Sequence, residues 1–338
     1  MIEVVERKGR IHFVRKKLCH SVPGYDVVVP CYHRCAYCFA SFGYIRYILK
    51  IYNLEYGQAG LFSDMPRELE RFMSVHKDLK YPLRANQLSD ISPPREKTVP
   101  LFRKCLEVHL KYEYPLMIFT KVPLHEYPEL RELILKLGDK GLIAVSVTIT
   151  TLKKDLLSWL EPYAPSPERR IEFLSWLKDH GIPSTVRITP LIQGITDSPE
   201  HVEEILERVP KGHAVFEYLR INDRATLEDF KKRGLKPYVF RFPFYVPPTD
   251  YAREKLLEFR DIAHREGFSF AVCGHYVNFK IQDHRDCCTG AEDFYGRFMP
   301  YASKPEYWRP VKVFLKRDLP KTPLMLWTSP DQDLVKLI

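Results

Sequence analysis

Cys31-Tyr32-His33-Arg34-Cys35-Ala36-Tyr37-Cys38 carries three cysteines at CxxxCxxC spacing, directly after the apolar run Tyr25-Asp26-Val27-Val28-Val29-Pro30. The run reads as a buried strand over residues 27–30, and the cysteines as the loop at its end. A cubane 4Fe-4S cluster usually takes four thiolates. Three thiols on one tight loop hold three corners and leave the fourth iron open to oxygen and nitrogen ligands. That spacing points to chemistry on the cluster rather than to simple electron storage. A second reading stays open at this stage: a zinc site of Cys31, Cys35 and Cys38 with His33 or His20, although zinc loops usually come as two CxxC-type pairs far apart.

Outward from this loop, composition sets bounds. A chain of 338 residues with 45% hydrophobic content can bury one large core, or a core and a smaller cap. The 8 Cys and the lack of a signal peptide point to a reducing cytoplasm, where thiolates are free to bind metal. No apolar run approaches the ~20 residues of a membrane span, so no membrane partner is expected. Scarce Asn and Gln and the 27 Pro fit a thermophile. The net charge of +9 allows a polyanion such as nucleic acid as partner, and is equally the mark of a merely basic protein.

Beyond the loop, strand and helix patterns alternate at about thirty-residue spacing. The expected strands are 27–30, 83–88, 116–120, 143–150, 185–191 and 214–221. Helical patterns lie at 40–56, 66–77, 99–112, 127–137, 167–180 and 199–209, with Gly138 and Gly181 as helix C-caps. Alternation of this kind gives a parallel sheet in an α/β protein. Six units are too few for a closed eight-stranded barrel, so an open, partial barrel is expected. The domains follow: a basic N-terminal extension over 1–24, the partial barrel over 25–221 and a C-terminal cap over 222–338. The cap is Pro- and aromatic-rich, with a helix at 250–266 and a strand at 268–273.

Ligands of parallel α/β sheets sit at the C-terminal strand ends. There this chain places Ser89 and Asp90, Thr120 and Lys121, Thr148 and Thr150, and Thr189. Along 143–150, Val145, Val147 and Ile149 alternate with Ala144, Ser146, Thr148 and Thr150, an apolar face backing a small, hydroxyl-bearing one that suits a cavity. Lys121 could pair with a ligand carboxylate. Arg187, mid-strand, should face the cavity and meet an anion, because an unpaired buried charge is costly. Gly194 lets the backbone approach a ligand closely.

Several separate segments carry a resemblance. CxxxCxxC with an aromatic before the last Cys resembles the radical S-adenosylmethionine (SAM) enzymes. Cys38-Phe39-Ala40-Ser41-Phe42-Gly43-Tyr44-Ile45-Arg46, Leu88-Ser89-Asp90, Phe119-Thr120-Lys121, Val147-Thr148-Ile149-Thr150, Leu160-Glu161-Pro162-Tyr163-Ala164-Pro165-Ser166 and Thr189-Pro190-Leu191-Ile192-Gln193-Gly194 resemble its spore photoproduct lyase-like branch, over residues 25–209. The resemblance implies a partial (β/α)6 TIM-like barrel of the radical SAM type, an enzyme that cleaves SAM reductively to a 5′-deoxyadenosyl radical, and a 4Fe-4S cluster on Cys31, Cys35 and Cys38. It further implies SAM contacts from Ser89, Lys121 and Thr148, with Tyr37 near the adenine and residues 192–194 supplying backbone to it; Arg187 is counted with these cofactor-binding residues. A one-electron reductant of the ferredoxin or flavodoxin type is the implied partner. The lyases that split the thymine dimer of spore DNA carry a hydrogen-donating Cys where this chain has Gln87, and a Tyr where it has Phe39. Thymine-dimer repair is therefore not expected.

The substrate class is left to the remaining sequence. Residues 231–241 interleave basic and aromatic side chains, as a nucleic-acid groove does, and Arg7, Lys8, Arg10, Arg15, Lys16 and Lys17 form a second basic patch. The alternatives are a peptide or small-metabolite substrate, and a non-catalytic, metal-stabilised nucleic-acid-binding module. Cys273, Cys287 and Cys288 are candidate hydrogen donors, or ligands of a second metal with His275 or His284; Cys19 and Cys105 read as core.

Overall fold

The structure is a computed structural model, and it describes residues 3–13, 23–38, 40, 45–77, 80, 82–241, 244–273, 281–283, 288–290 and 294. The chain enters through β1 (Glu3–Glu6), β2 (His12–Phe13), β3 (Pro23–Tyr25) and β4 (Val28–Val29), followed by α1 (Ile45–Tyr52), β5 (Gln58–Leu61) and α2 (Met65–Val75). β5 pairs parallel with β1 and antiparallel with β4, making a small three-stranded sheet. Then come β6 (Leu83–Ala85), α3 (Arg95–Tyr112), β7 (Leu116–Thr120), α4 (Pro128–Asp139), β8 (Ile143–Thr148), α5 (Lys154–Leu160), α6 (Pro167–Asp179), β9 (Ser184–Leu191), α7 (Pro199–Arg208) and β10 (His213–Tyr218). The chain continues through α8 (Arg224–Lys232), β11 (Val239–Arg241), β12 (Phe244–Val246), α9 (Thr249–Arg265) and β13 (Ser269–Val272).

The main sheet has the order β13-β10-β9-β8-β7-β6-β3-β2. Its seven strands from β13 to β3 are parallel, and β2 adds an antiparallel edge. This is a partial TIM-like barrel. Two expectations are corrected here. The first barrel strand is β3, not 27–30, because Asp26 splits the apolar run: its carboxylate accepts the N–H groups of Leu88 and Ser89. Val28 and Val29 are fully buried, but against β5. Hydrophobicity alone does not say which sheet a buried strand joins. The parallel sheet also runs past residue 221, since β13 pairs in register with β10 and α9 packs on both. That strand–helix unit, read from sequence as part of the cap, completes the barrel wall.

The helices form where spacing and end signals agree. Pro199 opens α7, whose N-cap Ser198 accepts from His201 N–H, and Asp223 caps α8 by accepting from Thr226 N–H. Gly181 at φ +64° follows α6, as expected. Gly138, in contrast, lies inside α4, and Gly141 at φ +63° is the residue that turns left-handed after it. Gly138 is small for another reason: a Cβ there would sit 2.9 Å from Ile182 Cγ1. The apolar face of the sheet buries Ile118, Val145, Val147, Ile188, Phe216 and Phe270 against the helices, with Phe216 and Phe270 stacked at 5.0 Å. Truncating such a buried side chain to Ala costs about 2–5 kcal/mol. Cys105 is fully buried in α3, as expected for core, and Cys19 lies outside the described residues.

Candidate functional site

Two segments clasp the cysteine loop from opposite directions in the sequence. On one side, Tyr32 N–H donates to Ser92 Oγ at 3.1 Å, and His33 Nδ1 lies 3.7 Å from Asp90. On the other, Ala36 N–H donates to the Leu160 carbonyl at 2.9 Å, while Arg34 lies 5.6 Å from the centre of the Tyr163 ring. Asp90 is itself held by Thr120 Oγ1 and Lys121 N–H, both at 2.7 Å, and by Ile91 N–H at 2.8 Å. Asp90 thereby fixes the end of β7 and where Lys121 leaves the strand, two residues before the Ser92 hydroxyl that holds the loop.

The second clasp is a buried polar network. Tyr37 donates its hydroxyl to Glu161 and lies 3.1 Å from Thr150 Oγ1; Thr150 donates to Glu161 at 2.7 Å. Glu161 forms a 2.5 Å ion pair with Arg170, and both side chains are essentially inaccessible. Arg170 also donates to the carbonyls of Pro165 at 2.8 Å and Thr148 at 3.1 Å. Burial raises the Glu161 pKa, but Arg170 and Lys121 outweigh it and hold the carboxyl at about 2. Tyr37 is thereby locked against the strand ends of β8 and β9.

Charge around the sulfurs follows from burial. Burial, then Asp90 and Cys38, push the Cys31 thiol up to about 12. Burial raises Cys35 as well, with Lys121 opposing it. Partial burial works against the charge of Lys121, yet Cys35 and Glu161 hold its pKa above the ordinary lysine value; its ammonium lies 5.5 Å from the centre of the Tyr37 ring. A proton-poor sulfur here needs a cation, and either Lys121 or bound iron supplies one.

Does the donor set fit an iron–sulfur cluster? The three thiols are close enough to influence one another's ionisation and are the soft ligands such a cluster takes. Among the described residues, no three His, Cys, Asp or Glu side chains gather tightly enough for a single metal ion. His33 Nδ1 is turned toward Asp90. His20 lies outside the described residues. Three thiols on one loop are the soft donors a multi-iron group takes.

The other sequence-derived candidates divide into two sets. Ser89, Lys121 and Thr148 lie with Tyr37 at the strand ends around the loop; Ser89 Oγ donates to the Asp90 carbonyl at 3.0 Å. Gly194 turns at φ +82°, its N–H donates to Asp197 at 2.7 Å, and a Cβ there would sit 2.5 Å from Lys236. The Lys236 stem thus covers one side of Gly194. Arg187 reaches a different place. Its guanidinium lies 3.7 Å from Glu217 and 5.1 Å from the centre of the Phe119 ring. Burial works against its charge, and Cys273, Cys288 and Glu217 hold it cationic. Cys273 and Cys288 accordingly lie near Arg187, with the Cys288 carbonyl accepting from Thr185 Oγ1 at 2.8 Å. Cys287, His275, His284 and Phe39 lie outside the described residues. Gln87 is buried, its amide oxygen packed over Gly24 so closely that a Cβ there would lie 2.5 Å away.

Sequence reasoning gave no role to Glu161, Arg170, Asp26, Arg84 or Glu217. Glu161 lay within a quoted motif, but its partner Arg170 comes from the next helix, where a charged residue reads as solvated face. The N-terminal basic patch is also partly spoken for: Arg7 donates to the carbonyls of Tyr52 and Asn53 at the end of α1. Arg15, Lys16 and Lys17 lie outside the described residues.

Comparison with known proteins bears on this geometry. A model of the radical SAM superfamily matches residues 27–209. An uncharacterized protein of Methanocaldococcus jannaschii is 30% identical over 230 residues, covering 68% of this chain and 82% of that protein. An uncharacterized protein of Acidianus two-tailed virus is 24% identical over 188 residues, 55% of this chain and 61% of that protein. Spore photoproduct lyase complexed with dinucleoside spore photoproduct has a similar fold: TM-score 0.56 at 15% identity, over 80% of this chain and 82% of that chain. A mutant of that lyase with bound AdoMet gives TM-score 0.55 at 15% identity, over 80% of this chain and 81% of that chain. With the cysteine loop inside the matched region and seated at the strand ends of a partial barrel, the chain belongs to the radical SAM superfamily.

Proposed function

We propose that this radical SAM enzyme holds a 4Fe-4S cluster on Cys31, Cys35 and Cys38 and binds SAM beside it, with nucleic acid as its substrate class. Family membership implies an iron–sulfur cluster and SAM, and sets aside the non-catalytic module. The observation that carries the reading is the double clasp, Asp90 on one side and Glu161 on the other, which sets three thiols and Lys121 at one barrel mouth. Cys31, Cys35 and Cys38 would hold the cluster, whose chemistry when bound would be one-electron cleavage of the SAM C5′–S bond, releasing methionine and the adenosyl radical that takes a substrate hydrogen. The protein's own residues orient and seclude. Lys121 offers an ammonium to the SAM carboxylate, Ser89 and Thr148 offer hydroxyls, and Tyr37 is held by Glu161 so that its ring presents a fixed wall. A ferredoxin- or flavodoxin-type protein would deliver the electron in the cytoplasm. Among the described residues no helix is long and apolar enough to cross a membrane.

The nucleic-acid reading rests on the rim beside the loop. Tyr238 and Tyr245 pack into the same cluster as Ala36 and Tyr37, and from there β11 and β12 form a two-stranded ribbon. Phe240 on that ribbon is 58% exposed, with Arg241 beside it and Lys231 and Lys232 on the last turn of α8. An exposed aromatic followed by an exposed Arg on one ribbon suits base stacking and phosphate contact. Repair of the spore thymine dimer is not proposed, because buried Gln87 has no weak X–H bond to give.

Two measurements test this. Anaerobically purified protein should be brown and, with SAM and a reductant, form 5′-deoxyadenosine; a colourless protein that leaves SAM intact would reject the cluster assignment. Binding to single-stranded oligonucleotides should weaken steeply with salt and fall by about tenfold in Phe240→Ala. Salt-independent or absent binding would move the substrate class to peptides or small metabolites.

A further inference from the structure

The inner face of the barrel holds more donors than the cofactor reading uses. In register along the sheet, Gly24 pairs with Arg84, Arg84 with Met117, Phe119 with Ser146, Ser146 with Thr185, and Thr148 with Arg187. These residues share one face, opposite the apolar one packed on helices. Arg84 comes from β6 and Arg187 from β9, yet both guanidiniums lie on the Phe119 ring of β7, at 3.9 and 5.1 Å from its centre. Arg187 thus reaches across the width of β8. Between them stands Ser146, fully buried.

Three of these polar atoms are buried without a hydrogen-bond partner: Arg84 Nε, Ser146 Oγ and Arg187 Nη1. Arg187 is only 7% exposed. All three donate, and a buried donor without an acceptor costs stability that a fold rarely spends without use. The acids nearby are committed. Glu217 pairs with both Arg187 and Arg220, and Asp26 accepts from the Leu88 and Ser89 N–H groups. Gly24, Ala144, Thr185 and Ala271 on this face carry small side chains.

We propose that the inner face around Phe119 is an anion-binding site, in which Arg84, Ser146 and Arg187 receive a phosphate or carboxylate group of the substrate. This reassigns Arg187 from the cofactor to the substrate. It rests on the radical SAM reading only in taking the barrel interior as the substrate chamber. Guanidinium forks suit both anions, each of which offers two or more oxygens in one plane.

The test is calorimetric titration of the purified full chain with inorganic phosphate and, separately, acetate, at constant ionic strength. The proposal expects saturable binding of one equivalent of at least one of them, and the stronger binder names the source. Arg187→Gln should weaken that binding at least ~10-fold and Ser146→Ala by a few-fold, while Lys121→Ala leaves it unchanged. SAM titrations run in parallel keep the two readings apart. SAM affinity lost in Lys121→Ala but little changed in Arg187→Gln supports the assignment; SAM affinity lost in Arg187→Gln with no phosphate or acetate binding overturns it and returns Arg187 to the cofactor. Ser146→Asp guards against a variant that merely misfolds. It places a carboxylate among the donors, so it should raise the melting temperature and abolish anion binding. A lowered melting temperature in Ser146→Asp, or anion binding that survives in it, would refute the site.

Discussion

The Glu161–Arg170 network and the Arg84–Phe119–Arg187 face are both buried and both charged, yet they are built on opposite plans. In the first, carboxylate and guanidinium meet at 2.5 Å, and Tyr37 and Thr150 both donate to the other carboxylate oxygen. In the second, two guanidiniums share an aromatic ring, and Arg84 Nε, Ser146 Oγ and Arg187 Nη1 are buried without a hydrogen-bond partner. A closed network holds something still; an open set of donors waits for something to arrive. That contrast separates scaffold from site better than burial does, since Arg170 and Arg187 are both buried.

The strongest way to break the comparison is to remove what the scaffold serves. Cys31→Ala, Cys35→Ala or Cys38→Ala should each abolish the brown colour and 5′-deoxyadenosine formation while the barrel stays folded by circular dichroism. Product formation in Cys35→Ala would mean that the clasped loop is not the cluster site. Next in size, Arg170→Met should cost about 3–5 kcal/mol in urea unfolding, since it strands a buried carboxylate. Adding Glu161→Leu should recover most of that loss, the signature of a paired charge.

Acid titration sharpens the same point. The Glu161 pKa is about 2 in the folded chain, against 4.5 ordinarily, because Arg170 and Lys121 overcome burial. A depressed folded pKa gives stability that is fully present above about pH 4.5 and is lost as pH falls toward 2. The shift corresponds to roughly 3 kcal/mol, and Glu161→Gln should flatten that limb of the urea midpoint against pH. Asp26 works in the opposite sense: burial pushes it up to about 6, so its contribution grows as pH falls from above 6 toward 3.8.

Smaller effects follow. Lys121→Ala should weaken SAM binding by about 1.5–3 kcal/mol, read by calorimetry, with Lys121→Arg failing to restore it fully. Arg187→Met should destabilise by only about 1 kcal/mol, because Arg220 still neutralises Glu217 and mainly the contact with Phe119 is lost. A loss in Arg187→Met as large as that in Arg170→Met would erase the distinction between the two regions.

Much of this was legible along the chain. CxxxCxxC spacing is local chemistry, so Cys31, Cys35 and Cys38 could be read without a fold. Strand–helix alternation recovered β7 to its residue ends and β8, β9 and β10 within a few residues, because long buried strands carry a strong apolar signal. β5 was missed, since Gln58-Ala59-Gly60-Leu61 has little strand character of its own and is held by its neighbours β1 and β4. β13 was seen as a strand but assigned to the cap, because pairing with β10 leaves no trace in either segment.

The amino-acid order by itself therefore determined the thiol loop, the period of the barrel and the polar strand ends, all set by interactions a few residues long. Which charges meet was decided only in three dimensions. Glu161 finds Arg170 across a loop and helix turn, Arg84 and Arg187 meet over Phe119 from strands about a hundred residues apart in the chain, and Asp26 splits an apolar run to hold residues 88 and 89. Coulomb and hydrogen-bond energies depend on separation in space, and a parallel sheet brings together residues that the sequence keeps far apart.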